Sequence, residues 1–217
     1  QAEGMLFCKL LTSPLPHARV QNIDASEALA MPGVLGILTP DEVPTPPPPN
    51  QKILTDEPLF VGDPILAVAA TNETLAQDAI DQIRLDYEEL PFTVDPLDSL
   101  YPGGPNARSD GNVFSALSRN LTHMKWSARD FAAAGEDQLP MGAPIEEWSF
   151  GDIEAGFAEA DLVLDETFTT SGVSHHSMEP RSAMAYWQNG KLFLHGSTQS
   201  QTAIMPGLAE MLEIDID

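Results

Sequence analysis

The sequence holds a single cysteine, Cys8, among 217 residues. No disulfide can close within it, and it has no CxxC and no cysteine-rich iron–sulfur or zinc pattern. Basic residues are scarce: ten Lys and Arg stand against 33 Asp and Glu, a formal charge of −23. That balance repels a nucleic-acid backbone and an anionic membrane surface alike. The acid is spread along the chain rather than gathered into a tail, which reads as a solvated surface. No apolar run approaches the roughly 20 residues of a membrane helix. No basic stretch followed by an apolar run marks a signal peptide at the N-terminus. GxSxG, P-loop, GxGxxG and HExxH motifs are absent as well. Hydrophobic residues at 42% and charged residues at 20% are globular composition, not disorder.

Proline, by contrast, is plentiful at nineteen residues. Pro44-Thr45-Pro46-Pro47-Pro48-Pro49-Asn50 suits neither helix nor central strand, and it reads as a stiff polyproline II connector. Before it, Met5–Leu11 reads as a buried strand, broken by Ser13-Pro14-Leu15-Pro16. Ala18–Ile23 reads as a second strand, Ser26–Met31 as a short helix closed by Pro32-Gly33, and Val34–Leu38 as a third strand. After it, Pro64–Ala70 is a continuous apolar strand. Asn72 is placed to cap a helix whose Leu75, Ala76, Ala79, Ile80 and Ile83 share one face. Ile83, Leu85 and Tyr87 then alternate with charged residues, as in a half-exposed strand. Residues 1–96 are thus expected to form an α/β domain.

Residues 97–150 carry turn chemistry and little periodicity, and read as a long irregular connector anchored by Trp126, Phe131 and Trp148. A second domain is expected over 151–217. Asp152 caps a helix with Ile153, Phe157 and Ala160 on one face, and Leu162–Thr170 reads as a strand. Met184–Trp187 and Lys191–His195 read as a hairpin through Asn189-Gly190. Ile204, Leu208, Met211 and Leu212 then mark a helix that Pro206 starts or kinks. One hairpin and two helices cannot close a core, so further chain or a partner is expected to complete it. The fold class is mixed α/β, of the α+β kind.

Chemistry-bearing residues are few. His175-His176 are adjacent and would point to opposite faces of a strand, so they suit strand-end hydrogen bonding better than one metal ion. Asp86, Glu88 and Glu89 fit the solvated face of a strand. Cys8 is expected to be a small buried hydrophobe. Ser197-Thr198-Gln199-Ser200 joins a strand to a helix. That junction gathers donors for an oxo anion or a polar cofactor edge, though such a turn usually serves only as a cap.

Taken in order, these stretches resemble the molybdenum-binding large subunit of the xanthine dehydrogenase and aldehyde oxidase family. In the first domain the likeness rests on Gly4–Lys9, Ser13–Val20, Ile23-Asp24, Met31–Val34, Val61–Val68 and Tyr87–Pro91. These are similar to the family's hammerhead α/β domain. In the second it rests on Gly151–Phe157, His176–Pro180 and Ser197–Ser200, similar to the start of a molybdopterin-binding domain.

The resemblance implies a hydroxylase that inserts an oxygen from water into an aldehyde or N-heteroaromatic carbon. By its match, Gln199 would donate a hydrogen bond to an oxygen ligand of molybdenum, with Thr198 and Ser200 beside it and Glu179 nearby. No residue of this chain would ligate the metal, and the catalytic base would lie outside it. The implied cofactor is molybdenum–molybdopterin, in the cytosine dinucleotide form, shared with the remaining part of the molybdenum subunit. An iron–sulfur subunit with 2Fe–2S clusters, and a flavin (FAD) or cytochrome (haem) subunit, would carry the electrons away. A small organic substrate is expected, with no nucleic acid and no membrane span. The compartment is expected to be cytoplasmic, or periplasmic if a signal has been removed. The rival reading is a non-catalytic acidic α/β assembly module. If residues 1–96 form a domain of their own, limited proteolysis cuts first between Tyr101 and Glu147. Early cutting inside Pro64–Glu89 would refute that boundary.

Overall fold

A computed structural model of the chain describes residues 3–44, 52–104, 113–115, 122–136, 138–140, 148, 150–166, 168, 170, 178, 182–198 and 200–216. It divides into two compact units, Gln1–Glu147 and Trp148–Asp217.

The first unit is built around a strand with no charge. Strand β1 (Phe7–Thr12) is followed by β2 (Ala18–Asp24), helix α1 (Ser26–Leu29), β3 (Val34–Leu38), β4 (Pro64–Ala70), helix α2 (Glu73–Asp81) and β5 (Arg84–Glu89). β4 lies between β1 and β3, antiparallel to both. Its sequence, PILAVAA, has the unbroken apolar run of a strand bonded on both sides. Ile65, Leu66 and Val68 are fully buried with Ala28 of α1 and Ala79 of α2. Each such aliphatic side chain contributes about 1.5–3 kcal/mol on burial. β5 pairs with β2 in a separate two-stranded sheet, so β4, α2 and β5 link two sheets.

The local signals account for the elements. Asn72 accepts a hydrogen bond from Leu75 N at 2.8 Å and caps α2. Gly33 turns the chain after α1 at φ +96°, where a Cβ would meet Leu75 and Thr71 at 2.8 Å. Only glycine fits both the backbone angle and that close approach.

Two distant loops close on each other. Ser13 donates its N–H to the Asp63 carbonyl at 2.9 Å, and Gly62 donates back to the Ser13 carbonyl at 2.8 Å. The Asp63 side chain accepts from Leu59 N at 3.0 Å. His17 is buried, with Nδ1 2.7 Å from the Pro91 carbonyl oxygen and Nε2 3.4 Å from Glu57. Arg19 donates to Glu57 and Glu88 at 3.0 and 3.2 Å.

Three expectations are corrected. Cys8 is exposed, because strand alternation puts it opposite the face covered by α2. The described residues between Leu162 and Thr170 form no strand, since no neighbouring strand pairs with them. The stretch after Pro96 is more ordered than its composition suggests. It contains α3 (Pro96–Leu100), the pair β6 (Val113–Ser115) and β7 (Thr122–Met124), and α4 (Ala128–Ala134). Asp95 caps α3, and Ser127 and Asp130 form a reciprocal capping box on α4. Phe131 stacks on Tyr101 at 4.6 Å and meets Trp126 edge-on at 6.0 Å. Trp148 is 95% exposed and anchors nothing among the described residues. The proline run from Thr45 to Asn50 lies outside the described residues.

Burial raises the carboxyl of Asp63 above the ordinary aspartate range, outweighing the hydrogen bond from Leu59. A carboxyl raised in the folded state binds its proton more tightly there than in the unfolded chain. Its contribution to stability is therefore greatest in acid, and is lost as pH rises from the unfolded carboxylate range through the folded value. Asp63→Asn keeps an acceptor for Leu59 and removes the charge. It is expected to raise the melting midpoint at pH 7 by about 2–4 °C, the shift of roughly 1 kcal/mol. The gain should vanish near pH 3; a lower midpoint at pH 7 contradicts the assignment.

Candidate functional site

The candidate site lies in the second unit and follows a hairpin. Helix α5 (Ile153–Glu159), capped by Asp152 on Ala155 N at 3.0 Å, precedes it. Strands β8 (Ala183–Gln188) and β9 (Lys191–Gly196) pair in register from Ala183↔Gly196 to Gln188↔Lys191. Asn189 and Gly190 both have positive φ, +54° and +76°, as a two-residue turn of this hand requires. Tyr186 stacks on Phe193 at 5.1 Å and on His195 at 5.8 Å, which holds the outgoing end of β9.

The chain leaves β9 through Ser197 and Thr198. Ser200 donates its N–H to Thr198 Oγ1 at 3.2 Å, and Thr198 donates to the Ser200 carbonyl at 3.4 Å. This hydroxyl-closed turn delivers the chain into α6 (Gln201–Leu212). Ser200 Oγ is 3.2 Å from Thr202 Oγ1, which extends the run of hydroxyls into the helix. Pro206 lies inside α6 and has no N–H to return to the preceding turn, so the first turn is partly set apart.

Of the residues singled out from sequence, Thr198 and Ser200 lie together in this turn. Gln199, between them in sequence, falls outside the described residues, as do Glu179, His175 and His176. Sequence reasoning did not single out Thr202 and Gln201; the unbroken polar run from Ser197 to Thr202 was the signal.

Between the hairpin and α6 is a cavity of about 940 Å³. Trp187, Leu192, Leu194, Ile204 and Leu208 line it, Ser197, Thr198 and Gln201 add polar groups, and Lys191 and Asp215 add one charge of each sign. A mostly apolar hollow with a few convergent polar groups is the ordinary form of a small-molecule or cofactor site. No acidic or basic residue occurs from Gly196 to Ala209. Hydroxyls, a side-chain amide and helix N-terminal N–H groups make a donor set that fits an anionic oxo- or phosphate-bearing group. Among the described residues no three His, Cys, Asp or Glu side chains cluster as a metal site would need.

Comparison with known proteins gives two consecutive family matches. Residues 1–91 match the aldehyde oxidase and xanthine dehydrogenase a/b hammerhead domain. Residues 137–217 match a molybdopterin cofactor-binding domain. The nicotinate dehydrogenase large molybdopterin subunit of Eubacterium barkeri is 29% identical over 208 residues, 90% of this chain and 41% of that one. The carbon monoxide dehydrogenase large chain of Afipia carboxidovorans is 31% identical over 93% of this chain and 24% of its own length. Among solved structures, a reconstituted CO dehydrogenase from Oligotropha carboxidovorans superposes with a TM-score of 0.73 at 25% identity. It covers all of this chain and 26% of that one. Quinoline 2-oxidoreductase from Pseudomonas putida, at 24% identity and TM-score 0.72, shares the fold over the whole chain and 26% of its own. The chain thus spans between a quarter and two fifths of the length of these relatives.

Large apolar side chains stay exposed in the second unit, among them Phe157, Leu162, Trp187 and Leu194. Expressed as these 217 residues alone, the protein is expected to bind a hydrophobic dye and to self-associate on size exclusion. A monodisperse monomer that unfolds cooperatively without dye binding would contradict this.

Proposed function

Because the chain belongs to the aldehyde oxidase and xanthine dehydrogenase family, we propose that it is part of the molybdenum-cofactor subunit of an oxidoreductase. That enzyme hydroxylates an aldehyde or an N-heteroaromatic carbon with an oxygen from water. The supporting observation is the ordered succession of a hammerhead domain and a molybdopterin-binding domain, the latter containing the Ser197–Ser200 turn. The cofactor is molybdenum–molybdopterin in its cytosine dinucleotide form, shared with the remainder of the subunit. It supplies the redox chemistry and the activated oxygen. An iron–sulfur subunit with 2Fe–2S clusters, and a further subunit with FAD or haem, would accept the electrons. Our reading of the compartment is cytoplasmic. Separately, among the described residues no helix is long and apolar enough to cross a membrane.

This chain's own part is to hold and orient. The Gln199 amide donates to an oxygen ligand of the cofactor, and its carbonyl oxygen accepts from a neighbour. Thr198 and Ser200 fix the turn on either side through their mutual hydrogen bonds. Glu179 is a weaker candidate for the same site, on the strength of the resemblance alone. The base that activates the attacking oxygen belongs to the part of the subunit outside this chain.

Gln199→Ala is expected to leave the fold nearly intact, at a cost of about 0.5–2 kcal/mol at most for a polar side chain near a helix start. Turnover of the assembled complex should fall about a hundred- to a thousandfold, since a preorganised donor near developing charge contributes roughly 2.7–4 kcal/mol. Gln199→Glu should be worse, because a carboxylate repels an anionic oxo group. Steady-state rates with molybdenum and pterin content measured on the same samples check this. Wild-type rates in both variants at full loading would reduce Gln199 to a helix cap. A complex without molybdenum or pterin would favour a non-catalytic assembly module.

A further inference from the structure

The sheet of β1, β4 and β3 carries helices on one face only. α2 packs on β1 and β4 and α1 on β3, over Leu66 and Val68. On the opposite face the register aligns Cys8 with Ala69 and Gly36, and Leu10 with Ala67 and Leu38. Cys8 is exposed, Leu10 and Leu38 are 51% and 44% exposed, and Leu6 and Leu35 at the margins are exposed as well. None of these residues is charged, in a chain with 43 Asp, Glu, Lys and Arg side chains. The one charged residue of β1, Lys9, points to the helix side, where it pairs with Glu73 at 2.7 Å. Small residues at the centre and leucines at both margins make a trough across three strands, roughly 10 Å wide at the usual strand spacing. That is about the diameter of one helix.

We propose that this uncharged sheet face is an internal docking surface for an apolar helix face of the same large subunit, contributed by the part that this chain does not include. The proposal rests on the reading of the chain as one portion of a longer subunit. Between about three fifths and three quarters of the relatives' length lies outside the region matched here, ample for a covering helix. A second copy is disfavoured because two chains of formal charge −23 repel.

Cys8, on the edge strand β1 beside Ala69 of the central strand, is a built-in reporter. The assembled enzyme is treated with N-ethylmaleimide from pH 7 to 10, and labelling of the Cys8 peptide is followed by mass spectrometry against the unfolded enzyme. The expected result is protection of about 100-fold or more at every pH, as for a site that reacts only on local opening. Protection should persist in the large subunit stripped of its partners, and Leu10→Ala should weaken it. Labelling at the unfolded rate overturns the proposal. So does a rate that recovers fully at high pH, since burial already raises the Cys8 thiol and an uncovered thiol would behave that way. Protection lost on removing the partner subunits assigns the face to them instead, and protection lost on dilution assigns it to a second copy; either overturns it. Molybdenum and pterin content of the same sample reports on the functional reading separately. Protected Cys8 in a cofactor-free complex removes that reading and leaves the docking surface. Labelled Cys8 in a molybdenum-loaded enzyme does the reverse.

Discussion

Antiparallel pairing of β4 on both its edges is the interaction on which the first unit depends. Its seven uncharged residues run along β1, Ala67–Ala70 pair with β3 on the other side, and the Pro64 carbonyl accepts from Thr55 N. The strand can therefore be buried without leaving peptide groups unpaired. With β4 in place, α2 has a floor, α1 has a neighbour, and the loop before β4 is drawn to Ser13. The polar contacts around His17, Arg19, Glu57 and Glu88 then decorate a frame that the apolar pairing has already set.

The second unit obeys a different constraint. Its hairpin and its last helix each present an apolar side to the hollow between them, and neither fills it. What is fixed is the register of the hairpin, through a two-residue turn and a stack of aromatic rings, and hence the point at which the chain departs toward α6. Precision at that point matters more than bulk stability if the turn aims donors, the role we propose for it. No charged residue occurs from Gly196 to Ala209, so the charges of the hollow come from Lys191 and Asp215 outside that segment.

Much of this was legible in the sequence where a single local rule sufficed. PILAVAA announced a central strand, Asn72 and Asp152 announced helix starts, and Asn189-Gly190 announced the hairpin. Reading failed where the outcome depended on what lies across space. Cys8 belongs to an apolar run, yet which face of β1 is covered depends on α2, sixty residues away. Leu162–Thr170 has strand composition, but a strand needs a neighbour to pair with, and composition does not supply one. The capping box at Ser127 and Asp130 was readable and was masked by the turn-rich stretch before it. For the candidate site, the Ser197–Ser200 run was visible as a junction, whereas the hollow beside it exists only once the hairpin and α6 face each other.

The bonds between His17 and residues 90–91 have a consequence for synthesis. Leu90 donates its N–H to the His17 carbonyl at 3.1 Å, and the His17 ring reaches the Pro91 carbonyl, so the second strand is tied to chain made seventy residues later. A ribosome adding about 5–20 residues per second exposes β1 and β2 for several seconds before β4 and β5 emerge. During that interval two strands with open edges and an apolar face wait for partners of their own chain. The proline-rich run from Pro44 to Pro49 lengthens the wait, yet proline offers no N–H to a stray strand pairing in the meantime. Vectorial emergence thus makes the nascent chain most in need of a chaperone in the interval between the emergence of β2 and that of β5.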